Sequence, residues 1–432
     1  MTIYRALVLD TPGDPTATDR PAELRSHEDC ALVVEGGTIV ARTDYATARA
    51  EHPEHDVVDI RDGVLLPGLV DTHVHYPQVR AIGGLGMPLL DWLDACALPE
   101  EARLSDPTYA RGVARDFVDG LLGAGTTTAL VFGSHFEGAV DALFTEAEAT
   151  GLRVTSGLVV SDRTLPGELL TTPEESLAAG RRLAERWHGR GRLRYAVTPR
   201  FALSTTDEML AACGELLGDD TWFTTHVNEN VQEIADVREL FPDARHYVDT
   251  YDQHGLIGER SVFAHNVHPT PHGLEVLGAA GAAVAHCPTS NAALGSGLFP
   301  LRAHLAAGVR VALGSDVGAG TGFSLLKEGL QAYFAQQLLG ADGVPLAAPD
   351  LLHLATRSGA TALGLDESVG DLSVGKQLDA VLLRPGPRGA LRTALRHASD
   401  PTDALAKIFA LGTPADIDTV WIGGDVADGP RA

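Results

Sequence analysis

VDTHVHYPQ, residues 70–78, carries His73 and His75 one residue apart at the end of a short apolar run. On a strand the side chains at i and i+2 share a face, so both imidazoles can reach one ion. The run LLPGLV (65–70) leads into this pair and marks the start of a new structural unit. Where the remaining ligands lie decides both the fold and the chemistry.

Working outward, residues 1–66 hold strand-like pieces (YRALVLD, CALVVEGGTIVA, VLLPG) punctuated by Asp, Gly and Pro turns, with no long helical period. Beyond them the pattern changes to apolar runs separated by longer stretches of helical periodicity. Eight runs can be counted: LVDTHVH, TTTALVF, RVTSGLVV, LRYAVTP, WFTTHV, SVFAHNV, AAVAHCP and RVALGSD. They alternate with helical stretches such as DPTYARGVARDFVDGLLGAG and TDEMLAACGELLG, as an α/β fold built on a (β/α)8 TIM-type barrel requires. Periodicity alone also admits a doubly wound open sheet, which does not naturally set ligands on strand ends all round a ring. After about residue 370 short strands return, in VGDLSVGKQLDAVLLRP and DTVWIGGDVA. The expected organisation is a barrel over 67–370 and a small β-sandwich domain formed jointly by 1–66 and 371–432, since neither terminal piece alone would bury a core.

The chain has 432 residues, 44% of them apolar, which suits a barrel with a minor domain. Asp and Glu number 58 against 33 Lys and Arg, a formal charge of -25 that would repel polyanions and argues against nucleic-acid binding. A small or neutral substrate fits better. The N-terminal segment lacks a basic region followed by an apolar one, and no charge-free stretch is long enough to span a bilayer, so a cytoplasmic location is expected. Cys30, Cys96, Cys213 and Cys287 form no C-x-x-C pair and are expected to be reduced and mostly buried.

In a barrel, polar residues at the C-terminal strand ends face a common mouth. Here strand one ends in His73 and His75, strand four in Arg200, strand five in His226, strand six in His265, strand seven in His286 and strand eight in Asp316. His73, His75, His226 and Asp316 make a nitrogen and oxygen set suited to zinc or iron(II), with a position open for water. Water on such an ion has its pKa lowered towards roughly 7. Asp316 is expected to accept the water proton, His265 to hold the water, and Glu229, three residues past His226, to move protons to a substrate ring nitrogen. His286 is expected to be structural, because HCPTSN has the character of a turn that positions loops. No lysine ends strand four, so a carbamylated bridge between two metals lacks an obvious source there and one metal is expected.

These segments resemble the amidohydrolase superfamily and, within it, the guanine deaminase family. The matching text is PGLVDTHVHYPQ, LLDWL, GTTTA, GRLRYAVTPRF, THVNENVQEI, YDQHGLIG, VFAHN, AHCPTSNAALGSG and LGSDVGAGTGFSLL, in that order over nearly the whole chain. The resemblance implies hydrolytic removal of the 2-amino group of guanine, one zinc per subunit with iron(II) as the alternative, and a homodimer. By the same resemblance Gln78, Arg200 and Phe201 occupy guanine-binding positions, with His226 and Glu229 also on the substrate side. Arg200 offers a rigid fork of donors for a carbonyl such as purine O6, and Phe201 a face for the ring.

The chain departs from the family pattern at Cys96, Ala97 and Leu98, where aromatic residues are usual before Pro99. It departs also at Asn228, Asn266, Ala319 and Gly322. These loosen the expected substrate preference, leaving 8-oxoguanine, a pterin or an s-triazine as alternatives. A non-catalytic scaffold that kept the barrel is the alternative of another class. His52 and Glu54 imitate the H-x-E of zinc deaminases, but no C-x-x-C accompanies them.

Overall fold

The computed structural model describes residues 1–13 and 21–427. Residues 14–20 and 428–432 of the terminal segments lie outside the described residues. The N-terminal strands are β1 (Thr2–Asp10), β2 (Arg25–Glu35), β3 (Thr38–Asp44) and β4 (Asp56–Pro67). Eight strands follow: β5 (Leu69–His75), β6 (Thr126–Ser134), β7 (Arg153–Val160), β8 (Leu193–Pro199), β9 (Trp222–Val227), β10 (Ser261–His265), β11 (Ala283–His286) and β12 (Arg310–Leu313). Each coincides with one of the eight runs counted in the sequence.

β5 to β12 pair in parallel and in chain order. The ring closes where the chain leaving β12 meets β5: Asp316 N–H donates to His73 O at 2.9 Å and His75 N–H to Val317 O at 2.8 Å. Closure excludes the open doubly wound sheet. Alternation along each strand makes two layers, as a period of two demands. Val70, Leu130, Ala196, Val262 and Ala285 pack inside the barrel, while Leu69, Val131, Val197, Phe263 and Val284 pack outward in the larger core that includes the helices. Among those helices, Pro107–Gly123 starts at Asp106, whose side chain accepts from Thr108 N–H, with proline at the first helical position.

The remaining strands, β13 (Ala380–Leu383), β14 (Ile417–Ile422) and β15 (Asp425–Val426), join the N-terminal ones in one mixed sheet ordered β15-β14-β13-β4-β1-β2-β3. This single sheet curls over, with Ile39 N–H of β3 donating to Lys376 O and Leu378 N–H to Gly37 O at 2.8 Å each. One face thereby encloses its own core of Val8, Leu32, Leu65, Leu382 and Trp421, while the alternate residues Val64, Leu66, Val381 and Leu383 pack toward the barrel. The sandwich-like packing therefore comes from one folded sheet. The C-terminal segment also holds helices Ala390–Leu395 and Pro401–Leu411, which strand patterning in the sequence did not anticipate; Leu405, Ile408 and Phe409 are buried in the barrel's outer core. Three cysteines are buried, Cys96 is half-buried, and all four are free. Among the described residues no helix is long and apolar enough to cross a membrane.

Candidate active site

Strand ends build the site. β5 shifts register against β6 between Asp71 and Val74, an irregularity of the kind that re-aims side chains beside active sites. Four of the five described non-glycine residues with positive φ are Asn228, His265, Asn266 and Asp316, all at the ends of β9, β10 and β12. Such backbone is sparsely populated and collects where function demands a particular aim. Gly314 lets β12 come close to β5, because a Cβ there would lie 2.8 Å from His73 Cβ.

His75 Nε2 lies 3.2 Å from both His73 Nε2 and His226 Nε2. Asp316 Oδ1 lies 3.2 Å from His73 Nε2 and 3.3 Å from His75 Nε2. A tetrahedral ion bound at about 2.0–2.1 Å sets its ligand atoms about 3.3–3.4 Å apart, and these four separations match that spacing. Their chemistry fits too. Burial drives His73 down to about 3, against the pull of Asp316, and drives His226 well below its ordinary range, helped by the neighbouring imidazoles. Both are neutral at pH 7, the form that ligates. Burial would raise Asp316, but the facing His73 and His75 override it and hold it well below the usual carboxylate range. His226 Nδ1–H donates to Arg200 O at 2.6 Å, which fixes the tautomer that leaves Nε2 a lone pair beside His75 Nε2.

His265 belongs to the same cluster at slightly longer range. Its Nδ1 pairs with Asn291 Oδ1 at 3.1 Å, while Nε2 faces Glu229 Oε2 at 3.4 Å and Asp316 Oδ2 at 3.8 Å. Glu229 is buried, and burial together with the carboxylates Asp316 and Glu233 pushes it well above its ordinary range. Its backbone N–H donates to Glu233, and Ser296 Oγ reaches its Oε1 at 3.4 Å.

Gln78, Arg200 and Phe201 line the same pocket as His75, His226, Glu229, His265 and Asp316. Leu89, Trp92, Leu93, Leu294 and Ala319 complete its wall. At the departure over residues 96–98, Ala97 and Leu98 are buried in one apolar cluster with Trp92 and Phe201. Asn228 and Asn266, two separate departures, are partners, with Asn228 Nδ2 donating to Asn266 Oδ1 at 2.8 Å. His286 stands apart from this pocket, stacked on Phe299 with ring centres 4.3 Å apart. Glu54 is exposed beyond the helix Tyr45–Glu51, outside the barrel.

Sequence reasoning missed Glu101. It is buried on the helix Leu98–Arg103, and both its oxygens accept from Arg200 Nη1, at 2.7 and 2.6 Å. Breaking such a buried pair by removing one partner typically costs about 3–5 kcal/mol, so it is a firm part of the site. No local signal marks it: Glu100 beside it faces outward to Arg103 at 2.7 Å, an ordinary surface pair. Asn291 and Ser296 were likewise unmarked, although both fall within the AHCPTSNAALGSG segment.

A closed (β/α)8 barrel with histidines and an aspartate converging from strands one, five and eight defines a class of metal-dependent hydrolase folds. The model of the amidohydrolase family matches residues 64–427, and the chain belongs to that family. Among individual relatives, it is 59% identical to the probable guanine deaminase of Deinococcus radiodurans, over 99% of this chain and 98% of that one. The solved guanine deaminase of E. coli superposes with a TM-score of 0.94 at 37% identity, covering 99% of each chain. The guanine deaminase of C. acetobutylicum, solved with guanine in its active site, superposes with a TM-score of 0.91 at 26% identity over 99% of this chain and 100% of that one.

Proposed function

We propose that this chain hydrolyses guanine to xanthine and ammonia. The observation that carries the reading is the convergence on one pocket of a four-donor cradle, a buried Glu229 whose hold on a proton is strengthened, and the Arg200–Phe201 pair. The likeness to guanine deaminases supports it.

His73, His75, His226 and Asp316 would hold one divalent ion, zinc before iron(II), which would supply Lewis-acid activation of water at neutral pH. Guanine lies against Phe201, with its O6 accepting from the donors of Arg200 that Glu101 leaves free and Gln78 beside it. As water adds at C2, Glu229 gives its proton to N3 and Asp316 takes the first water proton, with His265 orienting the water. Collapse to the C2 carbonyl reloads Glu229 with the hydroxyl proton, and the proton on Asp316 leaves with the amino group as ammonia. Leu89, Trp92, Leu93 and Leu294 keep bulk water from the ring. The barrel over 67–370 is the catalytic domain and the terminal segments a supporting one. A homodimeric, cytoplasmic enzyme of purine catabolism completes the reading.

Ammonia release from guanine, 8-oxoguanine, a pterin and an s-triazine tests this. Guanine should be preferred, and activity should vanish on chelation and return with zinc or iron(II). Preference for another ring would remove guanine as the substrate; a metal-loaded chain inert on every ring would leave the scaffold reading.

A further inference from the structure

Arg200 and Gln78 come from different strand ends and carry long side chains, and one carboxylate binds both. Arg200 Nη1 donates to the two oxygens of Glu101, and Gln78 Nε2 donates to Oε1 at 2.7 Å. The Gln78 carbonyl is fixed as well, accepting from Gly318 N–H at 3.2 Å. His135 Nε2 stands 3.4 Å from the other oxygen of Glu101. Glu101 itself is 2% exposed and is not among the residues lining the pocket, so it acts through these partners.

We propose that Glu101 is a positioning residue that sets selectivity for a neutral 6-oxo purine, by anchoring Arg200 and Gln78 in the orientations that read the carbonyl. This rests on the guanine reading. The geometry supplies two effects. An anchored guanidinium presents its donors without having to be ordered when substrate arrives. A guanidinium already balanced by a carboxylate suits a neutral carbonyl, whereas an unbalanced one favours an anion.

The test compares hypoxanthine, which keeps the 6-oxo group, with unsubstituted purine, which lacks it, as ligands of the metal-loaded protein and of its E101Q and E101D variants. E101D keeps the buried charge, and therefore the fold, while being one methylene too short to hold Arg200 and Gln78 together. Hypoxanthine should lose roughly tenfold in affinity in either variant while purine changes by less than about twofold. KM for guanine should rise more than kcat falls. E101Q combined with R200Q should be no worse than R200Q alone, as for residues acting as a unit. Equal loss for both ligands, no loss for either, or multiplying costs in the double variant would overturn the proposal. Guanine turnover by the unaltered enzyme is measured first: its absence defeats the functional reading, whereas its presence with unchanged ligand selectivity in the variants defeats this one.

Discussion

At the residue scale, two carboxyls that face the same His265 imidazole are pushed in opposite directions. Glu229 and Asp316 are both buried. The imidazoles His73 and His75 face Asp316 and outweigh its desolvation. Glu229 has burial and two further carboxylates acting in the same direction. Environments that push two carboxyls apart assign acid and base. Replacing Glu229 with Gln should leave metal content unchanged, as measured by atomic absorption, and slow guanine turnover by roughly two orders of magnitude or more. If Glu229 gives its proton in the reaction as proposed, kcat should fall as pH rises through its elevated pKa. The alkaline limb should be absent from whatever activity E229Q retains. His73, His75, His226 and Asp316 were legible because each ends a strand-like run. Glu101 was not, because nothing beside it in the chain marks it and its partners lie 23 and 99 residues away.

At the scale of elements, helices behind the barrel tie its loops in place. Glu328, on the helix Leu325–Leu338, accepts from Thr289 N–H at 3.0 Å and from Thr289 Oγ1 at 2.7 Å, on the short helix Pro288–Ala293 after β11. Burial raises Glu328 from its ordinary 4.5 to about 8, the hydrogen bonds from Thr289 opposing. The sign follows from linkage. A carboxyl whose pKa is raised on folding favours the fold fully below its unfolded value, and that contribution is gone once pH has risen through the folded value. Thermal melting should therefore shift downward between about pH 5 and pH 9, and E328Q should flatten the decline. A melting curve in E328Q as steep in pH as the parent's would place the titrating group elsewhere. The existence and order of these elements were readable from periodicity. Helices Ala390–Leu395 and Pro401–Leu411 were not, because their apolar residues fill gaps on the barrel's outer layer and make no strand pattern of their own.

For the whole molecule, the four proposed donors lie at 73, 75, 226 and 316, so one ion held by them would bridge strands one, five and eight of a closed ring. A ligand that binds only the folded state stabilises it in proportion to the logarithm of its concentration over Kd. Chelation should lower the melting temperature by several degrees as well as abolish turnover, and zinc should restore both, read by calorimetry on the same sample. Unchanged melting after complete metal removal would mean that ring closure by Asp316 N–H and His75 N–H alone holds the strands.

Local chemistry in the chain was enough for the eight strands, their order and the residues at their ends, because a period of two and the residues that terminate it are written within a few positions. Contacts between distant segments decided the rest: the ring rather than an open sheet, one folded sheet rather than two, and the pairing of Asn228 with Asn266. They also decided the carboxylate of Glu101 beneath Arg200 and Gln78. A buried charge or amide is committed by whatever partner folding brings to it, and that partner is not written beside it in the chain.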